Sequence, residues 1–254
     1  MKKSVLLSSM FVAAALVSQA AYAEVKIRAG TGTATYELGG DYTKAKSTYN
    51  PTAFGVTYSS DIASNSGWYI DGSYSSGTGK HDGWAALGTP SESFKREDFA
   101  LTGGVVFLNQ ENGIAGNIYM GIKTGSTKLG ANQAAIATAF TNPWSEETFD
   151  TAGLIFGGGA SFPIAQGRAG SVGVNGGLGL MGATWKDNAG FSAKANTAVG
   201  VSLGASYTFP ITSMFGVTAD YKYQSYSYNF GDTTNPFKVD EKFSTLMGFL
   251  YVKF

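Results

Sequence analysis

The chain has 254 residues, a formal net charge of zero, no cysteine and one histidine. This excludes disulfides, thiolate chemistry and a cysteine-linked lipid anchor, and the even charge balance offers no footprint for a nucleic-acid partner. The length suits a single domain, and no run of membrane-spanning length follows the first twenty residues, which excludes a helical membrane bundle.

The N-terminus reads as a targeting segment. Met1, Lys2 and Lys3 form a basic head, Val5 to Val17 an apolar core, and Ala21-Tyr22-Ala23 a small-x-small cleavage pattern. We therefore expect residues 1–23 to be a signal peptide handled by the secretion machinery. The mature chain would be one domain, residues 24–254, beginning at Glu24.

After Ala23 the period becomes two, the repeat of a strand with one apolar face. Val25, Ile27 and Ala29 alternate with Lys26, Arg28 and Gly30. The same pattern recurs at Phe54–Tyr58, Trp68–Tyr74, Phe99–Phe107, Ile114–Ile122, Leu154–Ala160, Val172–Leu180, Val199–Phe209, Val217–Tyr223 and Leu246–Phe254. These segments predict ten strands, with eight and twelve as the alternatives. A tilted strand needs about nine to eleven residues to cross a bilayer, which each segment can supply.

The connections sort by length. Short ones fall at Asn65-Ser66, Glu111-Asn112, Pro163 to Gly167 and Pro210 to Phe215. Long ones fall at Gly39 to Pro51, Gly77 to Arg96, Gly125 to Glu147, Lys186 to Lys194 and Gly231 to Lys242. Short turns at one end and long loops at the other predict an all-β fold, a single closed antiparallel transmembrane β-barrel. Within the third long connection, Leu129 to Phe140 is apolar and reads either as a short helix packed into the mouth or as a loop with a partly covered patch.

A soluble β-sandwich also alternates, but its outward face is charged. Here the polar face is small, built from Gly, Ser, Thr and Asn, with few charges: Lys26, Arg28, Asp71, Lys123, Asp220 and Lys222. That suits an enclosed lumen in which opposite charges pair. We expect Asp220 to pair with Arg28 or Lys26, and Asp71 with Lys123. Tyr58, Tyr74, Phe107, Phe162, Tyr207, Phe209, Tyr221, Tyr223 and Phe254 lie near strand ends on the other face, where an interfacial girdle belongs. Outer-membrane lipid is the implied surrounding.

Inward positions of the sixth to eighth strands are mostly Gly, Ser and Asn, whereas Tyr69, Tyr119, Met247, Phe249 and Tyr251 face the same interior. Large residues on one wall can fill space left on the other, which predicts a narrow or plugged lumen. An off-centre groove for an elongated or apolar solute is the alternative.

The last strand resembles the C-terminal assembly signal of bacterial outer-membrane β-barrel proteins. It ends on Phe254, with Val252, Leu250 and Leu246 at alternate positions and Gly248 in line. The resemblance implies recognition by the barrel-assembly machinery and does not fix a subfamily. Ten-stranded members of that superfamily include the omptin surface proteases, which use an Asp pair and an Asp-His pair at the rim. The single histidine, His81, precedes Asp82, but no Asp-x-Asp partner can be placed opposite it, and the reading for His81 is a solvated loop histidine.

No nucleophile elbow or His cluster is present. Asp61, Asp71, Asp82, Glu92, Glu97 and Asp98 lack the spacing of a calcium loop, and the strand glycines are not followed by the Lys-Ser/Thr of a phosphate loop. We assign no catalytic, metal or cofactor-binding residue and expect no enzyme. Two functions remain: a surface or structural barrel whose long loops meet an extracellular ligand, and a small porin or transporter. An omptin-like protease is a distant third.

Overall fold

The computed structural model describes residues 23–40, 44–60, 65–83, 91–231 and 237–254. The signal-segment reading lies outside the described residues, apart from Ala23, as do the connection segments 41–43, 61–64, 84–90 and 232–236.

The elements in order are β1 (Ala23–Gly40), β2 (Lys44–Tyr49), β3 (Thr52–Ser60), β4 (Ser66–His81), β5 (Glu92–Leu108), β6 (Ala115–Gly130), a single helical turn α1 (Gln133–Ile136), β7 (Glu146–Pro163), β8 (Ser171–Asp187), β9 (Ser192–Lys194), β10 (Ala198–Pro210), β11 (Phe215–Phe230) and β12 (Phe237–Lys253). Each strand pairs antiparallel with its neighbours, and β12 pairs with β1, so the sheet closes on itself. Closure leaves no edge whose N–H and C=O groups would lie unpaired in lipid.

Two of the ten walls are broken strands. β2 and β3 keep one register against β4, with Tyr49 opposite Gly79 and Thr52 opposite Ser76. Pro51, which has no N–H to donate, interrupts the ladder between them. β9 and β10 both pair with β8, but Lys194 lies opposite Thr184 and Ala198 opposite Met181, one residue out of step. That extra residue is a β-bulge, which bends the strand.

The stagger follows from the register. From Lys26 the partners run through Thr57, Asp71, Thr102, Gly121, Ile155, Gly179, Gly200, Tyr226 and Glu241, returning to β1 at Leu38, twelve residues along. A ten-walled barrel with this stagger has strands leaning about 40° from its axis.

Both ends of the described chain lie at the short-turn end, called the lower end here. Val25 and Phe254 exchange backbone hydrogen bonds there, at 3.2 and 2.9 Å. Tight geometry marks these turns: Gly113 adopts φ +70°, which a side chain disfavours, and donates to Asn109.

The outward face carries an exposed apolar belt, including Trp68, Ile70, Leu101, Ile118, Met120, Leu154, Leu178, Val201, Leu203, Leu246 and Leu250. A soluble protein does not expose a patch of this extent, and lipid is the solvent that accommodates it. The strands are longer than the sequence pattern predicts, commonly 16 to 18 residues. The excess lies beyond the belt at the upper end. Most of the segment Gly39 to Pro51, and the flanks of the other long connections, are therefore strand and not loop.

Candidate functional site

Inward side chains divide the lumen into two halves. In the upper half they are buried: Tyr36 and Leu38 on β1, Phe94 and Arg96 on β5, Thr127 and Leu129 on β6, Phe149 on β7, Tyr228 and Phe230 on β11, and Val239 and Glu241 on β12. In the lower half they are half-exposed, among them Arg28, Thr57, Tyr69, Asp71, Thr102, Asn117, Tyr119, Asn175, Ser202, Ser206 and Asp220. The upper half is thus a packed core inside the barrel, and the lower half lines open space.

The boundary is an ion-pair network spanning the lumen. Arg96 on β5 donates to Glu241 on β12, Nη1 to Oε1 at 2.5 Å, and the two side chains are only 2% and 3% exposed. The same guanidinium clamps Asp98 through Nε and Nη2, at 2.9 and 2.8 Å, and donates to Thr127 Oγ1 at 2.7 Å. Tyr228 Oη donates to the other Glu241 oxygen at 3.2 Å. On the adjoining walls Lys123 of β6 donates to Gln224 of β11 at 2.6 Å, and Gln224 donates to Tyr226 Oη at 3.1 Å. Charges taken from water are tolerable only with partners on every side, and the guanidinium fork supplies the geometry for several at once.

Above this network lies an aromatic layer. Tyr36 and Tyr49 pack on Phe94 at 5.5 and 4.9 Å, and Phe149 packs on Tyr228 at 5.4 Å. Trp185 meets Phe149 and Phe230 at 6.4 and 6.3 Å. Arg96 stacks between rings, 4.9 Å from the Tyr36 centroid and 5.6 Å from that of Phe243. The tilted and edge-on contacts match the favoured arrangements of aromatic quadrupoles.

Two titratable groups above the belt complete the mouth. His81 is the last residue of β4 and is 2% exposed. Its Nε2–H donates to Gly130 O at 2.9 Å and its Nδ1 accepts from the Gly83 N–H at 3.1 Å. Burial lowers its pKa, against the raising effect of the Gly130 carbonyl. The solvated-loop reading of His81 is therefore corrected: the strand continues inward-facing to this position, where one ring nitrogen reaches β6 and the other holds the turn that follows β4. Glu147 on β7 is 6% exposed, and its Oε2 closes no hydrogen bond. Burial pushes its carboxyl up to about 8, aided by Asp187 and opposed by the Trp185 indole.

The apolar segment after Leu129 contains the short helix. Asn132 caps α1, its Oδ1 accepting from Ala134 and Ala135, and Ile136 is fully buried with Ala131 and Trp144. The Asn188 side chain ties this connection down, its Oδ1 accepting from the Ser145 N–H at 2.9 Å.

Of the charges read from the sequence, Lys26, Arg28, Asp71, Lys123, Asp220 and Lys222 all belong to inward faces, but the expected pairing is corrected. Asp71 pairs with Arg28, in a two-pronged contact at 2.6 and 2.8 Å that Thr57 also joins, and not with Lys123. The reason is the register: Asp71 lies opposite Thr57 on β3, which lies opposite Lys26, so Arg28 reaches Asp71 across one wall above Gly55, while Lys123 stands level with the upper network. Lys26 lies over the Tyr251 ring at 4.2 Å. Asp220 and Lys222 close no hydrogen bond or ion pair among the described residues. Arg96, Asp98 and Glu241 stand in or beside segments that the sequence pattern reads as loop, because the outward apolar positions end below them.

Large side chains lie over inward glycines: Tyr119 Oη stands where a Cβ on Gly157 or Gly177 would lie. A Cβ on Gly104 would stand 2.7 Å from Tyr69 Cε1, and one on Gly55 2.7 Å from Arg28 Cζ. Two shallow apolar grooves, one beside Phe156 and Leu203 and one beside Ala219 and Leu250, open on the lipid-facing wall and bear no polar chemistry.

No known family pattern and no characterised relative matches the sequence. The fold has solved counterparts. The outer membrane protease OmpT of Escherichia coli is similar over 93% of this chain and 98% of its own, with a TM-score of 0.56 and 10% identity. The translocator domain of the autotransporter NalP of Neisseria meningitidis is similar over 100% of this chain and 97% of its own, with a TM-score of 0.50 and 11% identity. With its lipid-facing belt, closed ring, short lower turns and long upper connections, the chain has the fold of the bacterial outer-membrane β-barrel proteins.

Proposed function

We propose that this protein is a non-conducting surface barrel of the outer membrane, with its upper mouth outside and its lower end toward the periplasm. The observation that carries this reading is the buried Arg96–Glu241 pair, which ties walls on opposite sides of the lumen beneath a layer of packed rings. A solute would have to break charged hydrogen bonds in a desolvated site to pass, which costs several kcal/mol. The extended upper strands and their loops are then the surface offered to an extracellular ligand. We propose no enzymatic role, since the His81 ring nitrogens are both engaged with backbone groups.

Planar-bilayer recording of the refolded full chain tests this. Silence from protein with heat-modifiable gel mobility is the expected result. Discrete, steady conductance steps from the same sample would reassign the protein as a small porin.

A further inference from the structure

Below the ion-pair network the lumen has a distinct chemistry. Its charges are mostly committed: Arg28 to Asp71, and Lys253 to Glu24 at the lower rim. Lys26 lies over the Tyr251 ring, which leaves Asp220 and Lys222. They share the inward face of β11, one position apart in that face's alternation, so their side chains leave the strand about 7 Å from each other. Both are half-exposed to the interior, and neither closes a hydrogen bond or ion pair among the described residues.

Their surroundings are polar, and the nearest opposite charges outside the pair, Arg28 toward Asp220 and Asp98 toward Lys222, stand beyond ion-pair distance. Across β10, Asp220 lies opposite Ser206 and Lys222 opposite Gly204. The Asn175 amide lies over Gly204, where an added Cβ would meet its Oδ1 at 2.6 Å. Along β7 and β8, Tyr119 Oη lies over Gly157 and Gly177 and Ser206 Oγ over Gly173, so hydroxyl groups line this side of the lumen. The recess ends at the Lys123 and Asp98 level, where the lumen closes.

We propose that this lower lumen is a binding recess for a small dipolar solute, of the class of α-amino acids and short peptides. Its carboxylate meets Lys222 and its ammonium meets Asp220. A simple anion leaves Asp220 unmatched, and a simple cation leaves Lys222 unmatched. A solute carrying both charges satisfies both side chains at once, and the surrounding hydroxyl, amide and glycine backbone groups tolerate polar neighbours. The inference goes beyond the surface-barrel reading, since it concerns access from the lower end and needs no passage through the mouth.

The test is titration calorimetry on the folded full chain in nanodiscs, with alanylalanine as probe and propionate and ethylamine as single-charge controls. Saturable alanylalanine binding is expected, with each control weaker by about tenfold or more. Asp220→Asn and Lys222→Gln should each weaken alanylalanine by about tenfold while keeping wild-type heat-modifiable mobility. Lys80→Gln, on the outward face, should change nothing. No saturable heat with alanylalanine, or equal binding of propionate, would overturn the recess. Unchanged affinity in both lumen variants would overturn the assignment of Asp220 and Lys222. Conductance bears only on the closed mouth, so the two readings fail separately.

Discussion

Arg96 and Glu241 meet across the lumen at 2.5 Å although they are far apart in sequence and stand on walls that do not touch. Both are buried, and Arg96 is also clamped by Asp98 while Glu241 also accepts from Tyr228. The pair is the point at which a hollow barrel becomes a closed one.

Removing Arg96 leaves buried Glu241 without a cation and Asp98 with only the longer contact to Lys123, at 3.6 Å, whereas removing Glu241 leaves Arg96 still held by Asp98. Arg96→Ala is therefore expected to cost about 3–5 kcal/mol, and Glu241→Gln less. The rim pair Lys128–Glu146, whose side chains are each 45% exposed, should contribute about 1 kcal/mol or less. Urea midpoints of the refolded variants check the order; equal losses at the lumen and rim pairs would contradict it.

Glu147 makes stability depend on pH. Its folded pKa, about 8, lies above the ordinary 4.5. The unfolded chain therefore releases this proton first. The neutral carboxyl is favourable to folding below pH 4.5, and that stability is lost as pH rises through about 8. The loss by pH 9 is on the order of 5 kcal/mol. Glu147→Gln should flatten the profile of urea midpoint against pH over this window. An unchanged slope would show that another group titrates there.

Adjacent glycines on β5 should differ sharply. Gly104 faces the lumen, where a Cβ would collide with the Tyr69 ring; Gly103 faces lipid, where the nearest atom to a Cβ would be Tyr69 O at 3.8 Å. Gly104→Ala is expected to cost about 1–3 kcal/mol through overpacking, and Gly103→Ala no more than about 0.5 kcal/mol. Refolding yield and urea midpoint of the two variants provide the comparison.

Phe254 closes the seam between the first and last walls by two backbone hydrogen bonds with Val25. Its deletion should lower assembly in cells severalfold, yet leave refolding in detergent largely intact, because the rest of the β1–β12 ladder remains. Comparable loss in both settings would place the effect in the seam itself and not in recognition of the terminal residue.

The alternation of apolar and small polar residues determined by itself the strands, their lipid-facing sides and the short-turn end. It did so because a strand in a barrel wall has two solvents, and each position must suit one of them. Thus Ile118, Met120 and Ile122 declared the outward face of β6, and Asn117 and Tyr119 the inward one. What the alternation could not reach was the upper half. There the outer face meets water and the inner face is packed, so the apolar positions change sides: Ala34, Tyr36 and Leu38 alternate with Thr33, Thr35 and Glu37 in the opposite phase to the belt below. Pairing across the lumen was equally hidden. Arg28 finds Asp71 and not Asp220, and Arg96 finds Glu241, because stagger and strand tilt set which residues share a level, and those are properties of the closed ring rather than of any one strand.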